Sequence, residues 1–172
     1  MKNILITGKP GIGKTTIIKK VISNINLKTG GFYTEEIREN RIRVGFKIKS
    51  IDGKERILAH KDYKSIYRVG KYGVNINSFE STGVKAIEKA LEEAELIVVD
   101  ELGKMELYSK KFQTSVIKAL DSDKIVLGVI QQRENPFLDK IRKRNDVRFI
   151  FINEKNRDEV HLIILNLLKK SI

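Results

Sequence analysis

The chain has 172 residues, no cysteine, and a formal charge of +12 from 34 basic and 22 acidic residues. That length suits one domain over residues 1–172 with a core of its own, and the missing cysteine excludes disulfides and thiolate metal sites. No apolar run approaches the roughly 20 residues of a membrane span, and the first strand begins at once, leaving no room for a signal peptide, so a cytoplasmic protein with no membrane partner is expected.

Residues 3–7 read as an apolar strand. Gly8-Lys9-Pro10-Gly11-Ile12-Gly13-Lys14-Thr15 follows, spaced G-x-x-x-x-G-K-T. A helix is predicted from Lys14 to Ile25, with Ile17, Ile18, Val21, Ile22 and Ile25 on one stripe. Gly30-Gly31 punctuates, and Phe32 to Ile37 reads as a strand. From Arg41 to Ile51 the pattern alternates, with Ile42, Val44, Phe46 and Ile48 on one face. Asp52-Gly53 is a hairpin signal, and Glu55 to Ala59 is the returning strand. An antiparallel β insertion over about 31–60 is therefore expected. The stretch Arg68 to Asn75 reads as a polar loop.

Ser81 to Glu93 has the spacing of an amphipathic helix. Leu96 to Val99 is a strand buried on both faces, ending in Asp100-Glu101. A helix through Phe112, Val116, Ile117 and Leu120 leads to a strand over Lys124 to Ile130, ending at Gln131. Pro136 opens a short helix reaching Arg142. Val147 to Ile152 is the last strand. Asn156, with Glu159 three residues on, has the pattern of an N-cap before a helix through Val160, Ile163, Ile164, Leu167 and Leu168. Buried strands alternating with helices predict an α/β fold: a doubly wound, mainly parallel sheet with helices on both faces. Ligands of such sheets sit at the carboxyl ends of the strands. The glycine-rich loop, Asp100-Glu101 and Gln131 all fall at such ends.

The chemistry follows from those ends. A strand–loop–helix context makes G-x-x-x-x-G-K-T a phosphate-binding P-loop (Walker A). Its glycines let backbone N–H groups turn inward around phosphate, and the helix adds its positive end. Lys14 is expected on the β- and γ-phosphates and Thr15 on Mg2+. An apolar strand ending in Asp is the Walker B pattern, so Asp100 is expected beside Thr15, holding Mg2+ through water. Glu101, just past it, can orient the attacking water and accept its proton. In P-loop proteins with such a glutamate, one extra strand lies between the P-loop strand and the Walker B strand. Lys124–Ile130 is the candidate. Gln131 is then either a sensor of the γ-phosphate or lytic water, or a plain loop residue.

Four segments together carry a family resemblance: GKPGIGKTT from Gly8, GFYTEEIR from Gly31, RVGKYGVN from Arg68 and VDELGKMEL from Val99. With Asn156-Arg157, the chain resembles, over almost its full length, the nucleoside-triphosphatase family first described from thermophiles. The resemblance implies a RecA-like P-loop NTPase that hydrolyses ATP, GTP and other nucleoside triphosphates with Mg2+ and with loose base preference. It places nucleotide contacts on Gly8, Lys9, Pro10, Gly11, Ile12, Gly13, Lys14, Thr15 and Thr16, and on Val99, Asp100, Glu101, Leu102, Gly103, Lys104 and Met105. Leu102 departs from the isoleucine common in the family.

Several residues stay open on sequence grounds. Arg38, Arg68, Arg133, Arg142 and Arg144 are each either an arginine finger, in cis or from a neighbouring subunit, or a surface arginine. Lys104 either touches phosphate or pairs with Glu106 on the surface. Asn156 and Arg157 either cap and decorate the last helix or lie near the base. Tyr33, Tyr67 and Tyr72 read as stacking or packing groups, and His60 and His161 as structural or surface ones. Between Arg38 and Lys71 stand eleven basic residues against four acidic ones, so seven of the twelve net positive charges sit there. Two rivals to hydrolysis follow: a nucleotide or polynucleotide kinase, and a nucleic-acid-binding ATP switch. Nucleic acid is an open partner and not a required one, and a monomer or weak oligomer is expected.

Overall fold

A computed structural model describes all 172 residues. Nine strands form one sheet. The first is β1 (Asn3–Thr7), followed by the P-loop and helix α1 (Lys14–Asn24). Then come β2 (Thr29–Glu39), β3 (Ile42–Ser50), β4 (Glu55–His60), β5 (Arg68–Val69) and β6 (Tyr72–Val74). A continuous helical stretch comprises α2 (Ile76–Phe79), a π-helical turn (Glu80–Val84) and α3 (Lys85–Glu93). The chain continues through β7 (Leu96–Leu102), a 3-10 turn (Glu106–Tyr108), α4 (Lys110–Asp121), β8 (Ile125–Ile130), α5 (Pro136–Arg142), β9 (Val147–Phe151) and α6 (Val160–Lys169).

The strand order is β5-β6-β4-β3-β2-β7-β8-β1-β9. From β2 to β9 the neighbours run parallel, and from β5 to β2 they run antiparallel. The expected extra strand is β8, seated between β1 and β7. Strand β2 belongs to both halves. Thr29 to Phe32 pair with β7, and the rest continues with β3 beyond the point where β7 carries Asp100. The antiparallel part thus projects past the carboxyl ends of the parallel strands as a wing beside the P-loop.

Alternation sorts the core into two layers. Ile4, Ile6, Leu96, Val98, Leu127 and Val129 face one side, under Ile17, Ile18 and Val21 of α1 and Val160, Ile164 and Leu168 of α6. Leu5, Ile97, Val99 and Val126 face the other, under the helices from α2 to α5. The inner rings of that second layer are Phe32, Phe79 and Phe112, packed edge to face with centroids 5.1–6.0 Å apart. No helix is long and apolar enough to cross a membrane.

Three local expectations are corrected. The polar loop over Arg68–Asn75 is a hairpin, β5 to β6, whose second strand pairs with β4, so the antiparallel wing runs on past residue 60 to Val74. Strands this short are held by pairing and leave no periodic signal. The helix placed from Ser81 starts five residues earlier, where the Asn75 side chain accepts the Ser78 N–H at 3.0 Å and caps it. Asn156 does not cap the last helix. Its carbonyl accepts the Asn153 N–H at 2.9 Å and its amide donates to the Phe151 carbonyl at 2.8 Å, closing the turn after β9. Helix α6 starts at Val160 with no side-chain cap.

Candidate functional site

The P-loop joins β1 to α1 at the carboxyl end of the sheet. Gly11 and Gly13 have φ of +79° and +106°, conformations that side chains disfavour. Ile12 is buried beneath them and pins the loop to the core. Helix α1 opens with neither a side-chain cap nor an acidic residue in its first turn. Its first N–H groups remain for an anion, which is what the loop needs to hold phosphate. Lys14 folds back over the loop, donating to the Gly8 carbonyl at 2.7 Å and the Lys9 carbonyl at 2.9 Å. Lys9, Pro10, Gly11 and Thr16 are exposed around it.

Strand β7 brings the carboxylates. By alternation Asp100 faces α1, and the Thr15 hydroxyl donates to its Oδ2 at 2.7 Å. Strict alternation would send Glu101 to the opposite face. The β7–β8 register shifts between Asp100 and Leu102, which pair with Val129 and Ile130, so Glu101 is an extra residue in the strand. Leu102 then rejoins the layer of Val99. Asp100 and Glu101 are joined by a cis peptide, and the charge of Lys14 acts on both.

Strand β8 supplies the third element. Gln131 Nε2 donates to Glu101 Oε1 at 2.9 Å, and Gln131 Oε1 accepts the Lys104 backbone N–H at 3.0 Å. The Thr7 hydroxyl donates to the Ile130 carbonyl at 2.7 Å, fixing the end of β8 to the end of β1. Arg142 of α5 donates to the carbonyls of Gln131 and Arg133 and shapes the segment between them. Gly103 sits where a Cβ would stand 2.6 Å from Gln131 Nε2, so glycine is required for this approach.

The site is short of positive charge. Burial pushes the Asp100 carboxyl up to about 7 against the Thr15 hydrogen bond, with nearby Glu101 pushing the same way and Lys14 and Lys19 opposing. Burial also raises Glu101, opposed by Gln131 and Lys14, and lowers Lys14, opposed by both acids. One threonine hydroxyl beside one buried carboxylate fits a Mg2+ that takes its other ligands from water and phosphate. No group of three or more His, Cys, Asp or Glu side chains is arranged to hold a metal by itself.

The chain matches the family model described as NTPase over residues 3–165. It belongs to that nucleoside-triphosphatase family. The NTPase is 53% identical over 166 residues to the nucleoside-triphosphatase THEP1 of Thermotoga maritima, covering 96% of this chain and 95% of that one. The crystal structure of THEP1 from Aquifex aeolicus superposes with a TM-score of 0.90 at 38% identity, covering 97% of this chain and 99% of the other. The solution structure of a human cancer-related nucleoside triphosphatase gives 0.86 at 30% identity, with both chains fully covered. The expected α/β P-loop architecture is thereby shared with solved members of the family.

Other sequence candidates are redistributed. Lys104 is exposed, and Glu106 is not its surface partner: Glu106 is 3% exposed and makes no ion pair. Its neighbours Met105 and Leu107, both partly buried against the core, were the available signal. Four of the five arginines are engaged. Arg38 pairs with Glu36, Arg68 donates to the Lys71 carbonyl, Arg142 binds Asp139, and Arg144 bridges Asp121 and Asp146. Only the Arg133 side chain, exposed just past Gln131, makes no bond within the protein. On the wing, Lys47 and Lys49 are each bracketed by Glu35 and Glu55, and Lys19 of α1 also pairs with Glu35, so much of that face is neutralised. Tyr72 packs on Phe46 and accepts the Arg43 Nε–H at 2.9 Å, a structural role.

Proposed function

We propose that this NTPase is Mg2+-dependent, cleaves the terminal phosphate of ATP, GTP and other nucleoside triphosphates with water, and has loose base preference. The P-loop amides and Lys14 hold the β- and γ-phosphates. Thr15 and Asp100 would hold Mg2+. Bound there, Mg2+ would offset the negative charge of the phosphates. Glu101 orients the attacking water and takes its proton, and Gln131 keeps Glu101 in place. The single observation that carries this is the Gln131-held Glu101 carboxylate beside the Thr15–Asp100 pair, with the charge of Lys14 acting on it.

Loose base preference is supported by the turn after β9, where Asn156 spends its side chain on Asn153 and Phe151 and Arg157 is exposed. Such a turn offers a stacking cation and no hydrogen-bonding code for one base. The test is phosphate release from a panel of nucleoside triphosphates, with Mg2+ and with chelator, and with and without nucleosides or 5′-hydroxyl oligonucleotides. Release from several bases, abolished by chelator and indifferent to acceptor, is expected. Label appearing on the acceptor instead of in free phosphate would make the protein a kinase.

A further inference from the structure

Glu106 is a buried carboxyl group for which the hydrolysis scheme has no use. It opens the 3-10 turn after the Walker B strand and is 3% exposed. No lysine or arginine lies within ion-pair distance of it, and the charged groups that act on it, Glu101 and Asp100, share its sign. Burial above all, and then those two acids, push its pKa well above the usual carboxylate range. An unpaired charge at such depth is costly, which pushes the carboxyl toward its neutral form.

Its placement is specific. The carboxyl lies against the start of the turn at Gly103. The point where a Gly103 Cβ would stand is 3.0 Å from Glu106 Oε2 and 2.6 Å from Gln131 Nε2, so both side chains close on that one glycine. Lys104, next in the chain, gives its N–H to Gln131, and the Leu107 N–H closes back on the Gly103 carbonyl at 3.0 Å. The turn that orients Gln131 therefore closes against the buried Glu106 carboxyl.

We propose that Glu106 is a positioning residue for hydrolysis, holding the Gly103–Lys104 turn so that Gln131 keeps Glu101 aimed at the attacking water. The inference rests on the role given to Glu101 above.

The experiment compares kcat, KM and nucleotide Kd of the whole protein for Glu106→Ala, Glu106→Gln, Gln131→Ala and the double variant Glu106→Ala/Gln131→Ala. Glu106→Leu fills the volume without an acceptor and serves where the alanine variant does not fold. Glu106→Ala or Glu106→Leu lowers kcat at least about tenfold with KM and Kd little changed, because the loss is one of aim and not of binding. Glu106→Gln, neutral and of the same shape, restores kcat to within about threefold of wild type. The double variant is no slower than Gln131→Ala alone, because both act through one contact. Wild-type kcat in Glu106→Ala or Glu106→Leu, additive losses in the double variant, or no rescue by Gln would each overturn the proposal. A Glu101→Gln variant that still turns over would instead overturn the hydrolytic scheme, so the two failures are distinguishable.

Discussion

Gln131 ties Glu101 to the loop after its own strand. Its Nε2 donates to Glu101 Oε1 at 2.9 Å while its Oε1 takes the Lys104 N–H at 3.0 Å. One side chain at the end of β8 thus fixes the direction of a carboxylate at the end of β7. A carboxylate in a strand bulge would otherwise be free to swing, and the error tolerated by an in-line attack is small.

The contact can be broken without touching either partner. In Gly103→Ala the new Cβ would stand 2.6 Å from Gln131 Nε2 and 2.8 Å from its Cδ. Gln131 must withdraw, and Glu101 loses its holder. Turnover should fall by roughly one to two orders of magnitude, with stability reduced by about 1–3 kcal/mol for the overpacking. Steady-state kinetics and denaturant unfolding measure the two effects. Full turnover in a folded Gly103→Ala protein would deny the contact any role in catalysis.

Arg133 is the candidate finger left by elimination, since the other four arginines are committed elsewhere. It leaves the site two residues after Gln131, and Arg142 fixes the carbonyl of each. Arg133→Ala should lower kcat by at least about a hundredfold with nucleotide affinity kept, because a finger meets charge that develops only during cleavage. Arg38→Ala and Arg144→Ala should leave kcat within about threefold, being surface pairs. Unchanged turnover in Arg133→Ala would rule it out as the finger.

Acid sensitivity has a definite sign at the β9 end of the sheet. Arg144 contacts Asp146 at 2.7 Å and Asp121 at 2.8 Å, joining the start of β9 to the end of α4. The Arg144 hydrogen bond, followed by its charge, holds the Asp146 carboxyl below its ordinary value of 3.8, against some burial. A lowered folded-state pKa stabilises the fold above the ordinary value. That contribution is complete at neutral pH and is lost as pH falls below 3.8 toward the folded value. The Asp146 side chain is about one-third exposed, so water screens the pair and the effect is small. The Tm of wild type should exceed that of Asp146→Asn at pH about 7, and the difference should shrink as the pH is taken below 3.8. A difference independent of pH would show that the charge of Asp146 is not its source.

The sequence made the P-loop, Walker B strand and intervening strand legible because each is a local pattern. An apolar run, a fixed spacing and a polar residue at the end suffice to place them. Glu106 was not legible, since a charged residue two positions from a lysine looks like a surface pair until Met105 and Leu107 are seen to carry it inward. The position of Glu101 after the apolar strand marks it, but its orientation depends on a one-residue bulge that strand periodicity does not encode. The β5–β6 hairpin leaves no signal in the sequence because two- and three-residue strands take their stability from β4 and not from their own pattern. Asn156 is ambiguous in sequence because a cap motif and a side chain that closes a turn use the same amide.

The aromatic trio provides a test of the fold apart from the site. Phe32, Phe79 and Phe112 come from β2, α2 and α4 and meet at the centre of one layer. All three are fully buried. Phe32→Ala should cost about 3–5 kcal/mol. Chemical denaturation measures it, and a loss below about 1 kcal/mol would mean the layer can collapse into the space.

The central claim is that Glu101 acts on water and not on nucleotide binding. Single-turnover phosphate release from Mg2+-ATP, compared between wild type and Glu101→Gln with nucleotide affinity measured alongside, tests it directly. Glu101→Gln should bind nucleotide within about threefold of wild type and release phosphate at least about a hundredfold more slowly. Phosphate release at the wild-type rate from Glu101→Gln would contradict the account.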